Sequence, residues 1–162
     1  MNAVAPEIVD RPEIHLAVVR ATVAFSEIPA LYDRAYPLIF GALAAAGIAP
    51  AAAPMGVVHG TPDDGLDLSV AVPVREPFSA PAEASAEVSA EVSAETIPAS
   101  RTATLLVRGD YEQLSGAYQR IHAWIAEQGF EPTGVSWEQY LTEPKPGGDP
   151  SENETLVGVL VQ

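Results

Sequence analysis

The chain has 162 residues, enough to bury one core and short for two, so a single domain over 1–162 is expected. Its 22 acidic residues against 8 basic ones give a net charge of −14, with Lys145 the sole lysine and seven arginines scattered from Arg11 to Arg120. Duplex binding needs clustered cations to displace phosphate counterions, so direct nucleic-acid binding is excluded, while the acidic surface attracts cations. No cysteine is present, which removes disulfide and thiolate chemistry and suits the cytoplasm.

Residues 1–12 mix Pro6 and Pro12 with acidic residues and read as an edge or lead-in segment. From Glu13 to Val23 both faces of a β-rich run are partly apolar, the pattern of a covered strand. Ser26 can cap a helix with Pro29 in its first turn; Ile28, Leu31, Ala35, Leu38, Ala42 and Ala46 follow helical spacing, and Gly47 ends it. Pro37 inside that pattern cannot donate to the Asp33 carbonyl and predicts a kink or break. The uncharged stretch from Pro37 to Val58 is not a membrane span, because Pro37, Pro50 and Pro54 interrupt it and no basic cluster flanks it. The chain start carries neither a basic n-region nor a compact apolar h-region, so no signal peptide is expected.

A hairpin follows, Met55–Gly60 and Leu66–Val74 around a turn at 61–65, with Pro73 placing the strand's end at an edge or beyond the ladder. After a loop from Arg75 to Pro81 come three tandem units, Ser85-Ala86-Glu87-Val88, Ser89-Ala90-Glu91-Val92 and Ser93-Ala94-Glu95-Thr96, within a low-complexity insert at about 83–95. As a helix they would stack Glu83, Glu87, Glu91 and Glu95 at repulsive i, i+4 spacing. As a strand they put Ser and Glu on one face and Ala, Val and Thr on the other. The expectation is a strand near Glu91–Ile97, with the earlier copies a surface segment without function.

Arg101–Arg108 is the next strand, and Gly109-Asp110 leads into a helix on which Tyr111, Leu114, Tyr118, Ile121 and Ile125 recur at steps of three and four until Gly129. The run from Gly134 to Tyr140 is a strand, 142–154 an acidic Pro- and Gly-containing loop, and Leu156–Val161 a closing strand. Both halves therefore read strand, helix, strand, strand, over about 13–74 and 100–162. Gly47-Ile48-Ala49-Pro50 before Gly56-Val57 is echoed by Gly129-Phe130-Glu131-Pro132 before Gly134-Val135. This points to a duplicated module. The α+β fold expected is two pseudo-twofold-related β-α-β-β modules forming a curved antiparallel sheet, with two main helices on one face and a cleft at the junction. On this alignment Trp137 falls opposite His59, and Glu138 opposite Gly60.

Ser136, Glu138 and Tyr140 share one side of the Gly134–Tyr140 strand, and Val135, Trp137 and Gln139 the other. A carboxylate in such an apolar segment must be solvated, hydrogen-bonded, protonated or held for a cation, because burying it unpaired is costly. His15, His59 and His122 lie on different elements without metal-ligand spacing, so neither a metal nor a cofactor is implied.

The turn Arg108-Gly109-Asp110-Tyr111, together with Leu114, Tyr118, Trp124, Gly129 and above all Gly134-x-x-Trp137-Glu138-x-Tyr140, resembles the GyrI-like effector-binding family of bacterial multidrug-responsive transcription activators. Arg108 stands where many relatives have histidine. The resemblance implies a pocket in which Glu138 meets lipophilic cations beside aromatic rings, with Tyr140, Trp137, Tyr118 and Tyr111 as further ligand-binding residues. The partner it implies is a lipophilic, cationic small molecule, bound by a sensor, a sequestering protein or the effector domain of a regulator whose DNA-binding part, or another protein, is a separate partner. A second reading is a metal-independent hydrolase of strained or electrophilic lipophilic compounds, in which Glu138 activates water and Tyr140 or Tyr111 acts as acid or orienting donor.

Overall fold

The computed structural model of the chain describes residues 5–60, 65–77, 92–109, 113–142 and 153–162. Residues 61–64 of the expected turn at 61–65, Asp110 and Tyr111, residues 85–91 of the earlier tandem copies and most of the 142–154 loop lie outside these residues. Contacts divide the chain into two units, one made of residues 1–11 and 100–162, the other of 12–99. Each is an antiparallel four-stranded sheet with one long helix, so the α+β class and the duplicated strand-helix-strand-strand order stand as expected.

The contiguous unit contains β2 (Ile14–Val23), a 3-10 turn at Phe25–Glu27, α1 (Ile28–Ala46), β3 (Met55–His59), β4 (Leu66–Val74) and β5 (Ser93–Ile97). Its strand order is β3-β4-β2-β5. Leu16 to Val19 are all buried, which is why β2 carries no polar alternation. The even-numbered residues of β4 from Leu66 to Val74 pack with Ala17 and Val19 against Leu31, Ala35, Ile39, Ala42 and Leu43 of α1. Two expectations change here. Ser26 does not cap the helix: it lies in the 3-10 turn, and the helix begins at Ile28 with no side-chain cap. Pro37 does not break α1, which continues to Ala46; the proline is exposed. Pro73 pairs with Leu16 on β2 but stands past the β3 ladder, whose last pairing is Met55 with Ala71, so its missing N–H falls where no strand needs it.

The second unit contains β1 (Glu7–Arg11), β6 (Ser100–Arg108), α2 (Gln113–Glu127), β7 (Pro132–Tyr140) and β8 (Glu154–Val161), in the order β1-β6-β8-β7. Ala103, Leu105 and Val107 of β6 and Val157, Val159 and Val161 of β8 form its core with Ala117, Ile121 and Ile125 of α2. The first strand of each half is exchanged. β1 precedes β2 in sequence yet pairs with β6, and β5 precedes β6 yet pairs with β2. Only Pro12-Glu13 and Pro98-Ala99 separate the strands at the two exchange points.

The two helices end alike. Gly47 and Gly129 have φ of 70° and 80°, and the following residues, Ile48 and Phe130, donate to Leu43 and Ile125 at 2.9 and 3.1 Å. This six-to-one bond closes the last helical turn and needs the left-handed conformation that glycine adopts freely. Gly47→Ala and Gly129→Ala should therefore each cost about 1 kcal/mol, read as equal shifts of the urea midpoint with unchanged slope.

Candidate functional site

The site sits on β7 of the second unit. A register shift between Pro132 and Ser136, with Gly134 at φ 105°, bends the strand before it runs in regular pairing with β8. Glu138 then stands opposite Val157 and Ser136 opposite Val159. Both valines belong to the face covered by α2, so Ser136, Glu138 and Tyr140 point toward that helix. Along α2, Ala117, Ile121 and Ile125 are buried, and Tyr118, next to Ala117, packs at the rim of the same cluster.

The two phenols converge on the carboxylate. Tyr118 Oη donates to Glu138 Oε1 at 2.9 Å, and Tyr140 Oη donates to Oε2 at 2.7 Å. Protein surrounds the carboxyl group, and this desolvation raises the Glu138 pKa above its ordinary value; the hydrogen bonds from Tyr140 and Tyr118 act in the opposite sense and are outweighed. Among the described residues no cationic side chain is paired with Glu138. The result is a desolvated acid whose charged form is steadied by two phenols and, among the described residues, by no counter-charge. Such a group can accept a cation, or hold a proton and give it up.

Of the residues anticipated from sequence, Glu138, Tyr118 and Tyr140 come together. Trp137 does not join them. It is fully buried on the opposite face of β7, against Gly158 of β8, with the Arg11 guanidinium 4.9 Å from its ring centroid. The cation near Trp137 is thus the protein's own. Tyr111 lies outside the described residues. Arg108 is exposed and faces Glu154 across the β6–β8 ladder, its Nε 3.4 Å from the carboxylate, a contact of small worth at such exposure. His122 was set aside from sequence with the other histidines. It follows Tyr118 by one helical turn, and its ring stacks on the phenol at 6.5 Å between centroids. No group of three metal-ligating side chains occurs among the described residues, and no described helix is long and apolar enough to cross a membrane.

The alignment of the two halves keeps its parity in three dimensions. His59, like Trp137, lies on the face of its sheet away from the helix, since its β3 neighbour Val57 pairs with Ser69. There it joins a polar group that the sequence did not announce: His59 Nε2 is 3.0 Å from Ser69 Oγ and 2.8 Å from Glu95 Oε1, and Ser69 donates to Glu95 Oε2 at 2.9 Å. Beside it Arg20 makes a two-pronged bond to Asp67, 2.9 and 2.8 Å, which holds that carboxyl below its usual pKa.

Taken together, a duplicated antiparallel α+β module with a lone carboxylate beneath two phenols is the build of a small-molecule-binding domain. The model of the GyrI-like small molecule binding domain matches residues 5–161, and the chain belongs to that family. No curated protein matches the sequence. Among solved structures it is similar to the C-terminal domain of EcmrR, with 19% identity, TM-score 0.80 and 98% of each chain covered. It is also similar to EcmrR in a complex with DNA, with 20% identity and TM-score 0.79, where the whole of this chain matches 59% of that one. SAV2435 bound to tetraphenylphosphonium matches at 14% identity and TM-score 0.65, covering 97% of this chain and 93% of that one. A hydrolase from Listeria innocua matches at 12% identity and TM-score 0.64, covering 100% and 94%. At these identities the likeness is one of fold.

Proposed function

We propose that this domain binds lipophilic, aromatic cations, with Glu138 as the counter-charge and Tyr118 and Tyr140 as its aromatic and hydrogen-bonding neighbours. The observation that carries this reading is the desolvated carboxylate that has no cationic partner among the described residues. A cation about 4 Å away gains roughly 4 kcal/mol of gross Coulomb energy at an effective dielectric of about 20, and a phenol ring adds roughly 0.5–2 kcal/mol. The binding of tetraphenylphosphonium by SAV2435, a neighbour in fold, supports the choice of ligand class. The domain would act as a sensor or sequestering protein, or as the effector part of a regulator whose DNA-binding module precedes residue 1 or resides in a partner. Titration calorimetry with tetraphenylphosphonium tests it: one-to-one binding is expected, with a stability gain of about 2.7 kcal/mol at a hundred times the dissociation constant. Absence of heat and of any thermal shift would overturn the reading.

The raised pKa of Glu138 favours a second use of the same group, as the base that activates water in a hydrolase. Both its oxygens already accept phenolic protons, which weakens a base and suits a counter-ion. Incubation with an electrophilic lipophilic ester separates the two: turnover marks the enzyme, stoichiometric stabilisation the binder.

A further inference from the structure

The polar group on the helix-free face of the contiguous unit does not belong to the Glu138 site, and its geometry is not that of a nucleophile and base. Ser69 is fully buried and its hydroxyl proton is directed at Glu95, while the same imidazole nitrogen serves both Ser69 and the carboxylate. What the group does is read a carboxylate delivered by an edge strand. His59 comes from β3 and Ser69 from β4, and Glu95 reaches them across β2 from β5, with the His59 and Glu95 side chains about one-fifth exposed. Around this contact the strand is fixed at two more points: Val92 is buried in the core under α1, and Ile97 is buried opposite Ile14.

Glu95 belongs to the third of three tandem four-residue units. Strand side chains alternate with period two, so a shift by four residues keeps every side chain on its own face. Moving the chain by one unit would bring Glu91 to the place of Glu95, Val88 to that of Val92, Ser89 to that of Ser93 and Val92 to that of the exposed Thr96. A single inward position changes character, with Ser93 replacing Ile97. Alternation, the buried valine and the carboxylate contact are all satisfied equally by neighbouring units.

We propose that the edge of β2 on which β5 lies, with His59 and Ser69, is a strand-acceptor site specific for the Ser-Ala-Glu unit, and that the second and third tandem copies of this chain are interchangeable occupants of it. Ile97 and the two-residue Pro98-Ala99 link to β6 select the last copy. Thus the second copy is a reserve edge strand rather than part of a surface segment without function.

Deleting residues within a core-attached strand ordinarily ruins it, which makes deletion the sharp test on the full chain. Removal of Ser93–Thr96 joins Val92 to Ile97, so that Glu91 falls two residues before Ile97 and Val88 five before it, restoring the native pattern apart from a valine in place of Thr96. Its melting temperature should stay within about 3 °C of the parent, with amide-exchange protection on the strand preceding Ile97. Removal of Ala94–Thr96, one residue fewer, puts Val92 against His59 and Glu91 toward α1, and should lower the melting temperature by about 10 °C or more. A point change supplies the check on the carboxylate: Glu91→Ala should be silent in the parent and costly in the four-residue deletion. If both deletions are tolerated, the strand is dispensable and the proposal fails. If both are destructive, or if Glu91→Ala has the same effect in either background, the copies are not interchangeable and it fails as well.

Discussion

Replacing Glu138 by glutamine should weaken tetraphenylphosphonium binding about 10- to 150-fold, because the swap keeps size and shape and removes the charge. A hydrogen-bonded or close charged contact is worth about 1.5–3 kcal/mol, and that range sets the factor. A neutral aromatic ligand of the same shape should lose far less; equal losses would mean that Glu138 only shapes the pocket. The pH dependence follows from the raised pKa. Cation binding requires the carboxylate, so affinity should climb with pH through the raised value and level off above it, with proton release at the lower end. Folding shows the opposite slope. Between the ordinary glutamate range and the raised value the folded state keeps a proton that the unfolded chain has lost, so this group makes stability fall as pH rises across that window. Above it the full desolvation penalty is present. Glu138→Gln should remove this group's share of both slopes and leave stability unchanged or slightly higher at neutral pH, measurable by calorimetry and urea melts over the same pH series.

The largest loss of stability is expected from a change of one methyl group, Gly158→Ala. A Cβ at position 158 would fall among the Cε2, Cζ2 and Cδ2 atoms of Trp137, which has no exposed surface into which to retreat. The indole lies across the paired residue on β8, with Arg11 against it from the edge strand β1. Overpacking typically costs 1–3 kcal/mol, and a rigid, fully buried ring puts this case at the upper end, about 3 kcal/mol, with a fall in melting temperature of about 10 °C. Shrinking the ring should restore room, so Trp137→Leu combined with Gly158→Ala ought to be far less harmful than the sum of the single changes. Simple additivity would show that the two residues do not compete for the same space.

Local pattern made much of this legible. The helical steps of α2, the alternation of β7 and the shared Gly-x-x-Pro signature were enough to place the strands, the helices and the face on which Glu138 and Tyr140 stand. Tyr118 was legible as part of a helix stripe, but that its hydroxyl ends on Glu138 depends on how α2 crosses β7, which no local spacing encodes. Trp137 misled for the complementary reason. An aromatic beside a carboxylate in sequence is on the other side of the sheet in space, and only the glycine across the ladder, together with Arg11 from the far end of the chain, shows why it is buried. The His59–Ser69–Glu95 contact was hidden because it spans three strands, and because Glu95 sat in a low-complexity tract where charge usually signals solvent. Helix entry was misplaced at Ser26, where a 3-10 turn takes up the serine and leaves the first α-helical turn uncapped.

The exchange of first strands has a consequence for the order in which the chain acquires structure as it is made. Residues 12–99 carry all four strands of their own sheet in one continuous stretch, so this half can close before the rest has been synthesised. The other half cannot. Glu7 pairs with Thr104, and the partner of β1 is made only after the whole of the intervening unit. At roughly 5–20 residues per second, β1 waits on the order of 5–20 s with its edge groups unmatched. Its sequence suits that wait, since Glu-Ile-Val-Asp-Arg is short, charged and bounded by Pro6 and Pro12, features that discourage pairing with a neighbouring nascent chain.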